Sequence, residues 1–162
     1  MREEHTTSSE QETLALAGAF ARRLQRGDVV ALRGELGTGK TRFVKGICEA
    51  FGASQRVSSP SFIILNRYEG KDQSNRELLI YHLDLYRVRS LEEIYDLGYE
   101  EFFYGDGITL IEWAEQLGDL LPSNRYDVHL SYGKLDSERT ITIEVVGAPA
   151  AAMPAKRETG SR

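Results

Sequence analysis

Residues 34–41 read Gly-Glu-Leu-Gly-Thr-Gly-Lys-Thr and satisfy the spacing G-x-x-x-x-G-K-[S/T] through Gly34, Gly39, Lys40 and Thr41. The chemistry such a run can do is phosphate capture. Glycines let successive backbone N–H groups turn inward as an anion-binding nest, and a helix that opens at the lysine points its positive end at the same place. Lys40 would then bridge the terminal phosphates as a mobile point charge. The Thr41 hydroxyl would ligate a Mg²⁺ that also holds phosphate oxygens. The plain alternative is a glycine-rich strand-to-helix turn with Lys40 on the surface.

A phosphate loop needs a second, acidic ligand for Mg²⁺, best delivered by the end of a hydrophobic strand at the same sheet edge. Two residues qualify. Glu112 closes the apolar run 108–111 and resembles the acidic end of a Walker B strand, with Glu in place of the commoner Asp; Asp84 sits in the strand-like run Tyr-His-Leu-Asp-Leu-Tyr-Arg. Either could instead be a solvated carboxylate at a strand end. Ser58, Ser59, Pro60 and Ser61 fall between the phosphate-loop helix and the next strand, where nucleotide switches place a hydroxyl that senses the terminal phosphate. The proline keeps Ser59 extended. No Asn-Lys-x-Asp run is present to argue for guanine, so the nucleotide expected is ATP.

The elements that must position these groups follow from periodicity. Ser9 with Glu12 forms a capping-box signature ahead of Leu14, Ala17, Phe20, Ala21 and Leu24, which predicts a helix to about Gln25. The run 29–32 reads as a buried strand, and the next helix starts near Lys40 and stops at Gly52. Strands are expected over 62–65, 78–85 and 108–111, with a loop around 70–75 and a short helix capped by Ser90 and Glu93 that ends at Gly98. Val128 and Leu130, then Ile141, Ile143 and Val145, alternate with polar neighbours and predict an antiparallel hairpin. The fold class expected is α/β: a P-loop NTPase-like mixed sheet flanked by helices, with a C-terminal antiparallel hairpin.

The domain expected spans 9–146, with a flexible N-terminus over 1–8 and a disordered Ala/Pro-rich tail over 147–162. At 162 residues, 41% hydrophobic and 28% charged, the chain suits one core. A net charge of -5 repels DNA, RNA and anionic lipid, so direct nucleic-acid binding is disfavoured. No apolar run is long enough to span a bilayer, which suggests no membrane association and a cytoplasmic location. Cys48 alone makes no internal disulfide, and its amphipathic surroundings suit a small buried hydrophobe. Five aromatics over 95–104 could form a docking surface or fill the core, and Arg22, Arg23 and Arg26 read as a solvated basic face.

Taken in order, GELGTGKT, VSSPSF, YHLDLYR, SLEEIYDLGYEEFF and LIEWAE resemble the TsaE family, also called YjeE, over roughly residues 10–146. These are small bacterial P-loop ATPases needed to make threonylcarbamoyladenosine in tRNA. The resemblance implies MgATP binding, weak ATPase activity alone, and action in a complex with the TsaD and TsaB proteins, with tRNA engaged only indirectly. It places the nucleotide-binding loop on Gly34, Glu35, Leu36, Gly37, Thr38, Gly39, Lys40 and Thr41, the magnesium ligands on Thr41 and Glu112, an essential strand aspartate on Asp84 and a tryptophan on Trp113. The family often has Thr where this chain has Ser61, and commonly a small hydroxyl residue where it has Arg42; Arg42 could reach phosphate only as a cation.

Three functions compete on this sequence. The first is an ATPase in which Asp84 orients or activates water while Lys40 and Mg²⁺ offset developing charge. The second is a binding module in which ATP occupancy alone controls partner docking. The third, a small-molecule kinase, needs an acceptor pocket and a lid for which the chain has little length to spare.

Overall fold

The structure, a computed structural model, describes residues 1–53, 55–58 and 65–149. The apolar runs at 29–32 and 108–111 become its central strands, β2 (Val29–Arg33) and β5 (Ile108–Glu112). A strand with parallel neighbours and layers on both faces has no wet face to supply, so a continuous apolar run suits it. Around them, in chain order, lie β1 (Arg2–Thr7), α1 (Glu10–Ala21), α2 (Lys40–Ala50), β3 (Leu65–Lys71), β4 (Glu77–Asp84), α3 (Leu91–Asp96), α4 (Tyr99–Phe103), a 3-10 segment (Ala114–Leu120), β6 (Arg125–Tyr132) and β7 (Arg139–Val146). The strands form one sheet in the order β1-β7-β6-β2-β5-β4-β3. β2 runs parallel to β5 and β6, and β4 parallel to β5. The flanking pairs β1–β7, β6–β7 and β3–β4 are antiparallel, so the expected C-terminal hairpin is present and both sheet edges are antiparallel.

Each sheet face is covered. Val30 and Leu32 face one way, with Ile80, Leu110 and Val128, against Phe20 of α1 and Phe43, Val44 and Ile47 of α2. Val29 and Ala31 face the other way, with Leu83 and Ile111, against Ile94, Phe102, Phe103 and Leu117. This alternation is the strand period of two expressed in a run that looks uniformly apolar in sequence. Cys48 is fully buried in the first of these layers, and burial, aided by the Glu49 charge, pushes its thiol up to about 12.

Two expectations are corrected. Residues 1–8 are not a flexible leader: β1 pairs along its length with β7, from Arg2↔Glu144 to Thr7↔Arg139. An edge strand obtains its ladder bonds from a neighbour and needs no apolar alternation, so REEHTT carried no periodic signal. Glu3 is bridged by Arg23, and the Thr7 and Thr13 hydroxyls share a 2.8 Å bond. Nor is the basic cluster simply solvated. The Arg23 guanidinium lies over the Phe20 and Tyr126 rings at 5.5 and 5.7 Å, while Arg26 pairs with Asp72 at 2.9 Å and Asp106 at 3.2 Å.

Smaller differences have local causes. The first helix ends at Ala21, but tight i→i+3 turns carry Leu24 into the core, which is why the apolar spacing ran on to it. The Ser9 hydroxyl accepts from the Glu12 amide at 3.1 Å as a capping box requires. At Ser90 the cap differs, with the Glu93 carboxylate accepting from the Arg89 amide at 2.9 Å. β3 continues to Lys71 before a turn in which Asp72 accepts from the Ser74 and Arg76 amides, each at 2.9 Å. Of the five aromatics over 95–104, Phe102 and Phe103 are core and Tyr95 and Tyr104 are exposed. Of the expected strand at 62–65, only Leu65 is within the described residues, and the expected tail beyond Pro149 lies outside them. Among the described residues no helix is long and apolar enough to cross a membrane.

α1 and α2 meet at Gly46, where a Cβ would lie 2.6 Å from the Ala17 Cβ and 2.8 Å from the Leu14 carbonyl oxygen. Gly→Ala inside a helix ordinarily gains about 1 kcal/mol, whereas overpacking costs roughly 1–3 kcal/mol. Gly46→Ala is therefore expected to destabilise the protein, read as a lower urea midpoint; a higher midpoint would show that the helices separate freely.

Candidate functional site

β2 delivers the chain to Gly34 and α2 takes it up at Lys40, so the loop 34–39 joins a strand end to a helix N-terminus. Gly34 has φ 145°, and a Cβ there would meet the Leu130 carbonyl oxygen at 2.3 Å and Thr38 Oγ1 at 2.8 Å. Only a glycine lets the loop pass this close to β6. Thr38 braces the loop from within, its hydroxyl donating to the Glu35 carbonyl at 2.8 Å.

The C-terminal hairpin holds the loop from outside. The Tyr132 hydroxyl donates to the Leu36 carbonyl. Arg139 donates through Nε to the Thr38 carbonyl at 3.1 Å and through Nη2 to the Gly37 carbonyl at 3.5 Å. Its guanidinium stacks 4.7 Å from the Tyr132 ring centroid. In a trans peptide the N–H points opposite the C=O, so carbonyls fixed outward turn the amides that follow them inward.

Lys40 is 4% exposed. Its Nζ donates to the Gly34 carbonyl at 2.7 Å and the Glu35 carbonyl at 2.9 Å, and lies 4.1 Å from the centroid of the Trp113 ring. Burial draws its pKa below the ordinary lysine value, opposed by the charges of Glu112, Glu115 and Asp84. Trp113 holds this position with φ 57° and ψ 42°, a left-handed conformation that is an outlier for a bulky residue and marks a place where the surroundings dictate the backbone. Its ring also meets that of Tyr86, with centroids 5.0 Å apart.

The parallel ladder sets the acids. Register pairs Asp84 with Glu112 across β4 and β5, and brings Glu112 to the second residue of α2. Thr41 Oγ1 lies 2.8 Å from Glu112 Oε1 and 2.9 Å from Oε2. Glu112 is 3% exposed, and its Oε2 also meets His82 Nε2 at 2.5 Å. Asp84 is half-buried and accepts from the Tyr86 amide at 3.0 Å.

Thr41 and Glu112 offer adjacent hard oxygens, the donor chemistry of Mg²⁺. Among the described residues no cluster of three or more His, Cys, Asp or Glu could cage a metal. The Thr41 and Glu112 oxygens are a donor set that would suit Mg²⁺ in a phosphate site, where the ion takes one or two protein oxygens and completes its shell with water and phosphate.

Of the residues singled out from sequence, the structure thus assembles Gly34, Thr38, Gly39, Lys40, Thr41, Asp84, Glu112 and Trp113 at one sheet edge, with Glu35, Leu36 and Gly37 on the exposed rim. Arg42 pairs with Glu10 at 3.1 Å, and Ser61 lies outside the described residues. Tyr132, Arg139 and His82 were not singled out. The first two lie about a hundred positions from the loop they hold and carry no local signal; His82 lay in the quoted run YHLDLYR, where a polar residue in an apolar strand is the cue.

A family model for threonylcarbamoyl adenosine biosynthesis protein TsaE matches residues 7–141. A tRNA threonylcarbamoyladenosine biosynthesis protein TsaE of Bacillus subtilis (strain 168) is 39% identical over 141 residues, covering 87% of this chain and 84% of its own. One of Treponema pallidum (strain Nichols) is 40% identical over 136 residues, covering 83% and 95%. Among solved structures, Bacillus subtilis YdiB superposes with a TM-score of 0.73 at 34% identity, over 91% of this chain and 87% of that one.

The contact at Gly34 yields a stability test. Gly34→Ala combines a positive φ with a clash against backbone and should cost about 1–3 kcal/mol, a fall on the order of 5 °C in Tm. An unchanged thermal unfolding curve would mean that the loop does not lie against β6.

Proposed function

The chain belongs to the TsaE family, and from that membership we propose that it binds and slowly hydrolyses MgATP as a cytoplasmic subunit in making threonylcarbamoyladenosine in tRNA, together with TsaD and TsaB proteins. The meeting of Thr41 with Glu112 at 2.8 and 2.9 Å carries this reading. Residues 71 positions apart are brought together at the point where a phosphate loop needs a metal. A glycine-rich turn with no nucleotide role has no need of a buried carboxylate behind it, and one is tolerable there only because Thr41 and His82 hydrogen-bond it.

The chain's own groups divide the work. The loop amides receive the phosphates. Lys40, held by two neutral carbonyls and the Trp113 face, exchanges these for phosphate oxygens, which are stronger, charged acceptors. Thr41 and Glu112 hold Mg²⁺, which when bound screens charge on the phosphoryl oxygens. Asp84, on the same edge, orients the attacking water. Arg139 contacts the loop's carbonyls from outside, so its charge is not at the phosphoryl group, and turnover by the chain alone is slow. The net charge of -5 favours contact with tRNA through the partner proteins.

Isothermal titration with ATP tests the assignment. Lys40→Ala should weaken binding roughly 10- to 100-fold, the worth of a charged hydrogen bond, and Glu112→Ala should abolish the gain in affinity that Mg²⁺ brings; wild-type affinity in both variants overturns it. Trp113, the one tryptophan in the sequence, should change its fluorescence on adding MgATP as Lys40 leaves its ring. In a reconstituted modification mixture, a non-hydrolysable ATP analogue should support one round. Repeated rounds with it would favour control by occupancy alone.

A further inference from the structure

A row of polar side chains runs inward from Glu112 through the sheet. His82 is fully buried and Tyr68 is 3% exposed. His82 Nε2 lies 2.5 Å from Glu112 Oε2, His82 Nδ1 lies 3.1 Å from the Tyr68 hydroxyl, and Asn66 Nδ2 donates to that hydroxyl at 3.4 Å. His82 sits in β4 between Tyr81 and Leu83 and opposite Leu110 of β5, and an imidazole there costs desolvation that a leucine would not.

We propose that His82 is a positioning residue that fixes the Glu112 carboxylate beside Thr41, and that Tyr68 selects the His82 tautomer that does so. The proposal rests on the MgATP reading above.

Donor accounting supports it. A carboxylate only accepts, so the hydrogen between His82 and Glu112 belongs to Nε2. Nδ1 is then left as an acceptor, and the group facing it is the Tyr68 hydroxyl. Burial raises the Tyr68 pKa above the ordinary phenol value, which keeps that hydrogen in place. The Tyr68 hydroxyl has a second acceptor in the Ser58 carbonyl at 3.4 Å, but His82 Nδ1 at 3.1 Å is the nearer, so Asn66 donates to Tyr68, Tyr68 to His82 and His82 to Glu112. With the hydrogen on Nδ1 instead, Glu112 would lose the donor that His82 supplies to Oε2 and keep the Thr41 hydroxyl alone.

The consequence lies at Thr41. Its hydroxyl has one hydrogen for two carboxylate oxygens at nearly equal distance, and alone it does not fix the carboxylate's rotation. The His82 bond pins Oε2, leaving Oε1 and the Thr41 oxygen as the pair that faces a metal. Such partners behind a ligand typically account for 10- to 100-fold in metal affinity.

The test separates metal from nucleotide. ATP binding is measured with and without Mg²⁺ in the full chain and in His82→Leu, His82→Gln and Tyr68→Phe. His82→Leu should lose 10- to 100-fold in Mg²⁺ affinity for the nucleotide complex while Mg²⁺-free ATP affinity stays at the wild-type value. His82→Gln, whose amide can donate in place of Nε2, should recover most of the loss. Wild-type Mg²⁺ dependence in His82→Leu, or equal losses with and without Mg²⁺, overturns the proposal. Nitrogen-15 NMR of the nucleotide-free wild-type chain should show His82 as the Nε2–H tautomer, with a mixture of tautomers in Tyr68→Phe. An Nδ1–H wild-type ring overturns the proposal even if His82→Leu does not fold. If the wild type shows no Mg²⁺-dependent ATP binding, the functional reading fails, while the tautomer result still decides the hydrogen-bond chain.

Discussion

The register between β2 and β5 is the constraint on which the site depends. Leu32 pairs with Glu112, two residues before the loop begins on one strand and at the last residue of the other. A slip of one position would put Ile111 or Trp113 where Glu112 meets Thr41, and would turn each apolar side chain of β5 to the opposite layer. Because both faces of the sheet are packed, with Leu110 in one layer and Ile111 in the other, such a slip is strongly disfavoured. The hydrophobic layers thus set the position of a carboxylate that contributes nothing to them.

Several polar side chains are buried in and behind the sheet near its centre. Lys40, His82, Thr109 and Glu112 are all buried, and each is bonded: Lys40 to loop carbonyls, His82 and Glu112 to one another, and the Thr109 hydroxyl to the Phe102 carbonyl. Buried polar groups are tolerable only when matched in this way. Thr109 illustrates a structural use, tying α4 to the centre of the sheet. Lys40 differs, because its acceptors are neutral and its pKa is drawn down. An anion placed there would relieve a lysine that folding has stripped of water.

What could be read in the sequence was whatever is encoded locally. The loop 34–41, its strand and its helix lie together in the chain, and Glu112 ends an apolar run, so spacing and periodicity sufficed. The resemblance quoted from five short runs agrees with the family match. The parts that escaped are those fixed by distant pairing. Tyr132 and Arg139 reach the loop only because β6 lies beside β2. Trp113 takes a left-handed backbone that no propensity would assign it. The 3-10 segment and α4 are too short to show a period, and REEHTT owes its extended shape to the edge offered by β7.

That last pairing bears on how the molecule is assembled. Thr7 stands opposite Arg139, so the first strand of this sheet to be made docks against the last. During translation it has no edge to join and must stay in water while the intervening sheet forms. Its polar, charged composition makes that wait harmless, since a segment rich in Glu and Thr offers nascent neighbours little to aggregate with. The sheet is thus completed by a strand whose composition gives it little to misassociate with.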